Sequence, residues 1–306
     1  MTPTTYSDIR DLMAGHISSA ALSAAFELRL FWRLAQQPQT AQKVAQELNI
    51  PLNRCCCWLE LLAGLNLLER QGDAYTISST TRSAILDVYS AETWWLLAQE
   101  AREQIPVIGD LPVNIGLPGS LWAAQGLAKP DYVAQMAESP ERARRFTRML
   151  YEIHRPLADE FAKRMDVQGV RRLMDLGGGS GVMSLALLER YPDLTATVVD
   201  ISNVCIAGRE IAAENRMSDR ITYHSSDFLH DELPGGFDMA LECDVGIHDE
   251  RLFRKVWGAL NAGGRMVIVD ELLQPGDTPN PSRIRSALYG SLDDPGHTMP
   301  TSSNVQ

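Results

Sequence analysis

The sequence is short of positive charge: 28 lysines and arginines stand against 39 aspartates and glutamates, a formal net charge of −11 over 306 residues. Proteins that hold nucleic acid neutralise phosphates with a lysine and arginine surplus, so this balance speaks against a nucleic-acid partner. No apolar run approaches the roughly 18 residues of a membrane-spanning helix. Residues 1–8 carry no basic stretch leading into an apolar one, so no secretory leader and no membrane partner are expected. The five cysteines, Cys55, Cys56, Cys57, Cys205 and Cys243, include no C-x-x-C pair for zinc. Three of them fall in a row on one predicted helix and point in different directions. Such an odd, unpatterned set fits a reducing cytoplasm and gives no reason to expect a metal. What remains is 45% hydrophobic and 22% charged, an ordinary globular composition with chain enough for two domains.

One stretch organises the rest: Leu173-Met174-Asp175-Leu176-Gly177-Gly178-Gly179-Ser180-Gly181-Val182. An apolar run enters it, four glycines bend it, and an amphipathic helix leaves it. That is strand, tight turn and helix, the opening of a doubly wound sheet with a ligand expected at the strand's C-terminal end. The glycines permit positive φ and close approach of backbone to ligand. A dinucleotide fingerprint wants a third glycine where Val182 stands, and a phosphate loop wants Gly-Lys-Ser/Thr, which is missing.

Upstream, residues 8–36 hold two helical patterns, and Thr40 is placed to cap a helix over 41–48. A turn at 49–53 leads to a second helix over 54–65. Two short strands follow, near 67–70 and 74–77, joined through Gln71-Gly72-Asp73. Helix, turn, helix and small hairpin make a winged helix. Its second helix carries one basic residue and an apolar excess, which disfavours a DNA-binding regulator. Residues 90–167 are mostly helical, with one helix over 91–103, a break around Pro106 to Gly119, and a long helix opened by Ser139-Pro140. From Arg171 onward, apolar strands at 171–175, 195–200, 221–224, 237–243 and 265–270 alternate with helices, the pattern of a parallel sheet covered on both faces. Residues 274–306 read as loop, one helix over 282–289 and the start of another.

The segment Asp175-Leu176-Gly177-Gly178-Gly179-Ser180-Gly181 resembles the first motif of class I S-adenosylmethionine (SAM) methyltransferases, in particular the small-molecule O-methyltransferases of the plant caffeate and acetylserotonin type and their bacterial relatives. The resemblance implies an α/β fold: a Rossmann-like doubly wound sheet over 168–306, behind a helical winged-helix dimerisation domain over 1–89. Residues 90–167 would form a helical linker roofing the substrate pocket. It also implies a cytoplasmic homodimer that binds SAM and a small aromatic or polyketide-like acceptor, methylated most often at a hydroxyl.

By the same resemblance Gly177 and Gly179 pass the methionine tail and Asp200 takes the ribose hydroxyls. Ile201 packs on the adenine, Asp227 meets its amino group, Phe228 packs on its ring, and Cys243 closes the fourth strand at the cofactor. Trp122, Met136, Met149 and His154 are pocket candidates, although their helical spacing suits ordinary core side chains equally.

Catalysis is where the sequence departs from the family, whose base is a histidine after the fourth strand. Here Asp244-Val245-Gly246-Ile247-His248-Asp249-Glu250 is about two residues short, and counting places Val245 or Ile247 at that position. His248 is either the base in a shifted loop or a residue at the start of the following helix; Asp270 matches the orienting carboxylate, and His154 and His297 stand in reserve. The family's later glutamate aligns near Asn304. A missing base also suits a C- or N-methyltransferase, or a SAM-binding relative catalysing hydroxylation or pericyclisation. The family sheet has two further strands after the fifth, so a C-terminally shortened sheet with an exposed apolar edge is expected, unless a partner covers it.

Overall fold

The computed structural model describes residues 3–128, 131–270, 272–274, 276–297, 299 and 301. The chain divides into two compact units, Met1–Gly109 and Asp110–Gln306.

The first unit opens with α1 (Tyr6–Met13), α2 (Gly15–Glu27) and α3 (Leu30–Gln36), three helices where periodicity suggested two. The extra break is Arg29, which takes φ 59° in the left-handed region and ends α2. After the two-residue strand β1 (Gln39–Thr40) come α4 (Ala41–Leu48) and α5 (Leu52–Gly64). Thr40 Oγ1 accepts the Lys43 N–H at 3.3 Å, the cap expected of it. β2 (Leu68–Gln71) and β3 (Ala74–Ile77) form the antiparallel hairpin. β1 adds a third strand beside β3, so the domain is not purely helical; a two-residue strand is too short to announce itself in sequence. α6 (Ser79–Thr81), a π-helical turn (Arg82–Leu86) and α7 (Ala91–Gly109) complete the unit. α7 runs one turn beyond the expected break, because Pro106 falls in its last turn, where little helix remains to be disrupted. The core gathers Ala25, Leu30, Phe31, Leu34, Leu59 and Leu62, with Phe26 stacked on Trp94 at 4.6 Å. Cys55 is buried, Cys56 half-buried and Cys57 exposed, as three consecutive helical positions require.

The second unit starts with the short helices α8 (Leu111–Asn114), α9 (Leu121–Ala124) and α10 (Tyr132–Glu138), then the long α11 (Pro140–Arg164). Ser139 caps α11, its Oγ accepting the Arg142 N–H at 3.2 Å, with Pro140 at the first helical position. β4 (Arg172–Leu176), α12 (Val182–Arg190), β5 (Thr195–Asp200), α13 (Ser202–Glu214), β6 (Ile221–Ser225), β7 (Phe237–Cys243), α14 (Glu250–Ala259) and β8 (Leu260–Val269) follow, and α15 (Pro281–Asp293) comes last. The strands lie in the order β6-β5-β4-β7-β8, all parallel. The order reverses at β4, the switch point beside which such sheets bind ligands. Leu173, Val198, Met239 and Leu241 are fully buried, which is why these strands read as unbroken apolar runs. α11 is fastened to α13 by two-pronged ion pairs, Arg144 to Glu210 and Arg148 to Glu214.

β8 is the edge strand of this sheet among the described residues. Its apolar end, Met266 to Val269, is half-buried rather than bare, and α14 covers one face through Leu252 and Val256. Beyond it, Leu273 and Thr301 form a single parallel bridge. The helix start expected after 302, and Asn304 with it, lie outside the described residues.

Candidate functional site

The turn after β4 holds Gly177 at φ 64°, Gly179 at φ 56° and Gly181 at φ 76°. At Gly177 a methyl group would stand 2.7 Å from Val245 Cγ2. At Gly181 it would strike the Tyr223 hydroxyl at 2.8 Å, whose own bond to the Ser180 carbonyl fixes the turn from below at 2.8 Å. Both glycines are therefore required by conformation and by space.

The turn forms the floor of a cavity of about 560 Å³ at the C-terminal edge of the sheet. All seven residues expected to bind the cofactor line it: Gly177, Gly179, Asp200, Ile201, Asp227, Phe228 and Cys243. They come from four strand ends that are consecutive in space, although Gly177 and Cys243 stand 66 positions apart in the chain. Tyr132, Phe146 and Leu150 form an apolar side of the cavity, with the Tyr132 and Phe146 rings 5.9 Å apart.

Two buried carboxylates dominate its electrostatics. Asp200 Oδ2 accepts the Gly179 N–H at 2.9 Å and Oδ1 the Ile201 N–H at 2.7 Å. Burial outweighs these bonds and pushes its pKa up to about 6. Each oxygen keeps a further lone pair for a ligand hydroxyl. Asp175 is wholly buried, and burial raises it to about 6 as well. Its Oδ2 accepts the Ser184 hydroxyl at 2.6 Å, while Oδ1 has no hydrogen-bond partner among the described residues. A buried oxygen left unpaired at a cavity wall is a place for a donor from a ligand. Asp227 differs: the His230 ring 2.8 Å away holds its carboxyl below the ordinary range. Burial drives Cys243 up to about 12, so its thiol stays protonated at neutral pH.

The predicted catalytic residues meet one another, though not in this cavity. His248 Nε2 lies 3.4 Å from Glu242 Oε2 and 3.7 Å from Asp270 Oδ2. Its side chain is 10% exposed, and it is not among the cavity's lining residues, whereas its neighbour Ile247 is. Glu242 was hidden in the sequence as one polar letter inside an apolar strand. Burial raises its carboxyl, opposed by the imidazole, and its Oε1 accepts the Val245 N–H at 3.1 Å.

Of the four pocket candidates, His154 lines the cavity and the other three do not. Met136 and Met149 are buried core residues, and the Trp122 indole N–H donates to Asp293 of α15. The lining residues missed here, Phe146 and Leu150, share a four-residue spacing with His154, a signal that was present in the sequence. His297 lies over Gly290 on α15. No group of three or more His, Cys, Asp or Glu among the described residues is arranged to hold a metal ion.

Residues 122–293 match the family described as O-methyltransferase domain, and residues 10–86 match the O-methyltransferase dimerisation domain. The 3-hydroxy-5-methyl-1-naphthoate 3-O-methyltransferase of Streptomyces sahachiroi is 30% identical over 294 residues, covering 89% of this chain and 79% of that protein. The N,N-dimethyltransferase OxyT of Streptomyces rimosus is 29% identical over 273 residues, covering 87% of this chain and 78% of that protein. The solved structure of PigF with SAH superposes with a TM-score of 0.84 at 21% identity, covering 98% of this chain and 91% of that one, a likeness of fold. With that fold, a glycine turn at the sheet's switch point and acids on the neighbouring strand ends, the chain belongs to the O-methyltransferase family and is a SAM-dependent methyltransferase of small molecules.

Proposed function

We propose that the chain methylates a hydroxyl of a small aromatic or polyketide-like metabolite, with SAM held by the residues of the switch-point cavity. The observation that carries this reading is the convergence of Asp227, Asp200, Gly177 and Cys243, in the spatial order of their strands, on one cavity. Asp227 and Phe228 would take the adenine, Asp200 the ribose diol, and Ile201 the other face of the base. Asp175 Oδ1, unpaired and buried, suits the ammonium of the methionine end, beside Gly177 and Gly179. Bound SAM supplies a methyl group on a sulfonium, so the protein's task is to align an acceptor oxygen and relieve it of its proton. In this reading Glu242, His248 and Asp270 act beneath the site, holding the 244–249 segment whose Val245 and Ile247 form part of the cavity wall.

The apolar wall of Tyr132, Phe146 and Leu150 favours an aromatic acceptor, as does the relative named for a hydroxynaphthoate. An amine acceptor is the second reading, favoured by the likeness to a protein named as an N,N-dimethyltransferase. We further read the protein as a cytoplasmic homodimer without a nucleic-acid partner. Support comes from the dimerisation-domain match, from apolar side chains left exposed on the first two helices (Tyr6, Leu12, Met13 and Ile17), from the net charge of −11 and from SAM being an intracellular metabolite. No helix among the described residues is long and apolar enough to cross a membrane. The division into 1–89, 90–167 and 168–306, with the middle segment as roof, is likewise a proposal; Phe146 and Leu150 on the cavity wall support it.

The deciding experiment is calorimetric titration of the full chain with SAM and with S-adenosylhomocysteine, beside Asp200→Ala. Removing the diol acceptor is expected to weaken binding about 100-fold or more, the loss of two hydrogen bonds to a charged group. Undiminished binding by the variant would overturn the assignment of the cavity.

A further inference from the structure

Phe146, Leu150 and His154 recur every four residues along α11 and all line the cavity, so they form one face of the helix over it. Phe146 and Ile201, the latter just past the end of β5, pack against the same small core of Met136, Ala143 and Val204. Two turns further on, about 12 Å along the helix, His154 reaches the β7 end. There its Nε2 lies 3.8 Å from Asp244 Oδ2. The face therefore runs from the strand ends read as the nucleoside side to those at the other flank of the glycine turn.

Asp244 sits at a bend. It adopts φ 56°, a left-handed conformation that aspartate tolerates better than most residues and that turns the chain sharply after β7. Its N–H donates to the Val269 carbonyl at 3.0 Å, tying the bend to β8. His154 is 25% exposed, Asp244 69%, so the pair opens to water through which a proton can leave. His248 is enclosed, with its Nε2 facing both Glu242 and Asp270.

We propose that His154, assisted by Asp244, is the proton acceptor for methyl transfer in this chain. The inference rests on the methyl-transfer reading above. As the acceptor oxygen forms its bond to the methyl carbon, the carbon–sulfur bond breaks and its electron pair stays on sulfur. The hydroxyl proton passes to the imidazole, the Asp244 carboxylate stabilises the imidazolium, and the proton then leaves to solvent. The titratable groups that line the same cavity include Asp244 and Cys243 from the β7 end, Asp175, Asp200 and Asp227 from the other strand ends, and Tyr132; beside His154 on α11 stand Tyr151 and Arg155, held together by a cation–π contact at 5.8 Å. Among these Asp244 is the charge in contact, and exposure to water moderates its effect.

The test follows the His154 imidazole in the full chain labelled with 15N-histidine, assigned by loss of its signal in His154→Gln. Asp244→Asn, which removes the carboxylate 3.8 Å from Nε2, is expected to move that signal, and so is S-adenosylhomocysteine. A signal unchanged by Asp244→Asn, or one indifferent to S-adenosylhomocysteine, overturns the assignment. Folded wild-type protein that fails to bind S-adenosylhomocysteine sinks the methyl-transfer reading instead. With any hydroxynaphthoate that is turned over, His154→Gln should cut kcat by about 10²- to 10⁴-fold, remove the acid limb of the pH profile, and leave the S-adenosylhomocysteine Kd within about twofold. Retained kcat in His154→Gln, with loss in His248→Asn, would return the role of base to His248.

Discussion

His248 faces a carboxylate that has no contact with solvent: its Nε2 stands 3.4 Å from Oε2 of Glu242, whose side chain is wholly buried. Each is the other's compensation for burial. Neither atom is in a hydrogen bond, so the pair attracts as ions when the imidazole carries a proton, in surroundings where charge is weakly screened.

The pair sets a sign that can be measured. Burial raises the Glu242 carboxyl above its ordinary value, and His248 opposes the rise. A raised acid contributes stability below its unfolded pKa and loses that contribution as pH climbs through the folded value. His248→Asn removes the opposition, so this variant should lose stability relative to wild type between pH 5 and 8, by about 2–4 kcal/mol. Glu242→Gln added to it should restore most of the loss. Urea unfolding of the four proteins at both pH values makes the cycle, and strict additivity would show that the two side chains do not interact.

Asp175 gives a second pH effect, independent of any histidine. Its folded pKa of about 6 lies above the ordinary 3.8, so its stabilising contribution is complete below pH 3.8 and lost as pH rises through 6. Asn at this position keeps the shape and cannot ionise. The stability of Asp175→Asn relative to wild type should therefore grow by about 2–3 kcal/mol between pH 4 and pH 7. Its SAM affinity should fall, because the unpaired Oδ1 is replaced by a neutral group. A pH-independent difference in unfolding free energy would show that burial does not raise Asp175 above its unfolded value.

These two acids also show what a linear reading can reach. Asp175, Asp200 and Asp227 sit at strand ends, and the alternation of apolar strand and helix puts strand ends on one edge of a parallel sheet, so the cavity floor was legible. The parallel order itself followed from strands apolar on both faces. Glu242 was not legible, since one acid within Phe237-Asp238-Met239-Ala240-Leu241-Glu242-Cys243 carries no sign of its partners 6 and 28 positions on. Met136 and Met149 were equally ambiguous: helical spacing identifies a buried face but not whether a core or a cavity lies behind it. Phe146 and Leu150, on the same helix as Met149, are the ones that face the cavity. Arg29 and β1 escaped because a left-handed residue and a two-residue strand have no periodicity.

Gly177 tests whether backbone shape in the turn limits cofactor binding. At φ 64° an alanine costs about 1–2 kcal/mol from its own geometry. Its methyl would also meet Val245 Cγ2 at 2.7 Å, with the Phe228 ring at 3.4 Å behind it. Val245 belongs to the segment held by Glu242 through the 3.1 Å bond to its N–H, so it yields only by moving that segment. Gly177→Ala should therefore lower thermal stability and weaken S-adenosylhomocysteine binding by about tenfold or more, the free energy of the strained turn expressed at the site. Val245→Ala in the same chain removes the collision and leaves φ unchanged. Partial recovery of affinity in the double variant, read by calorimetry, would separate crowding from backbone strain; full recovery would mean the left-handed turn is cheap here, and none would mean Val245 was never the obstacle.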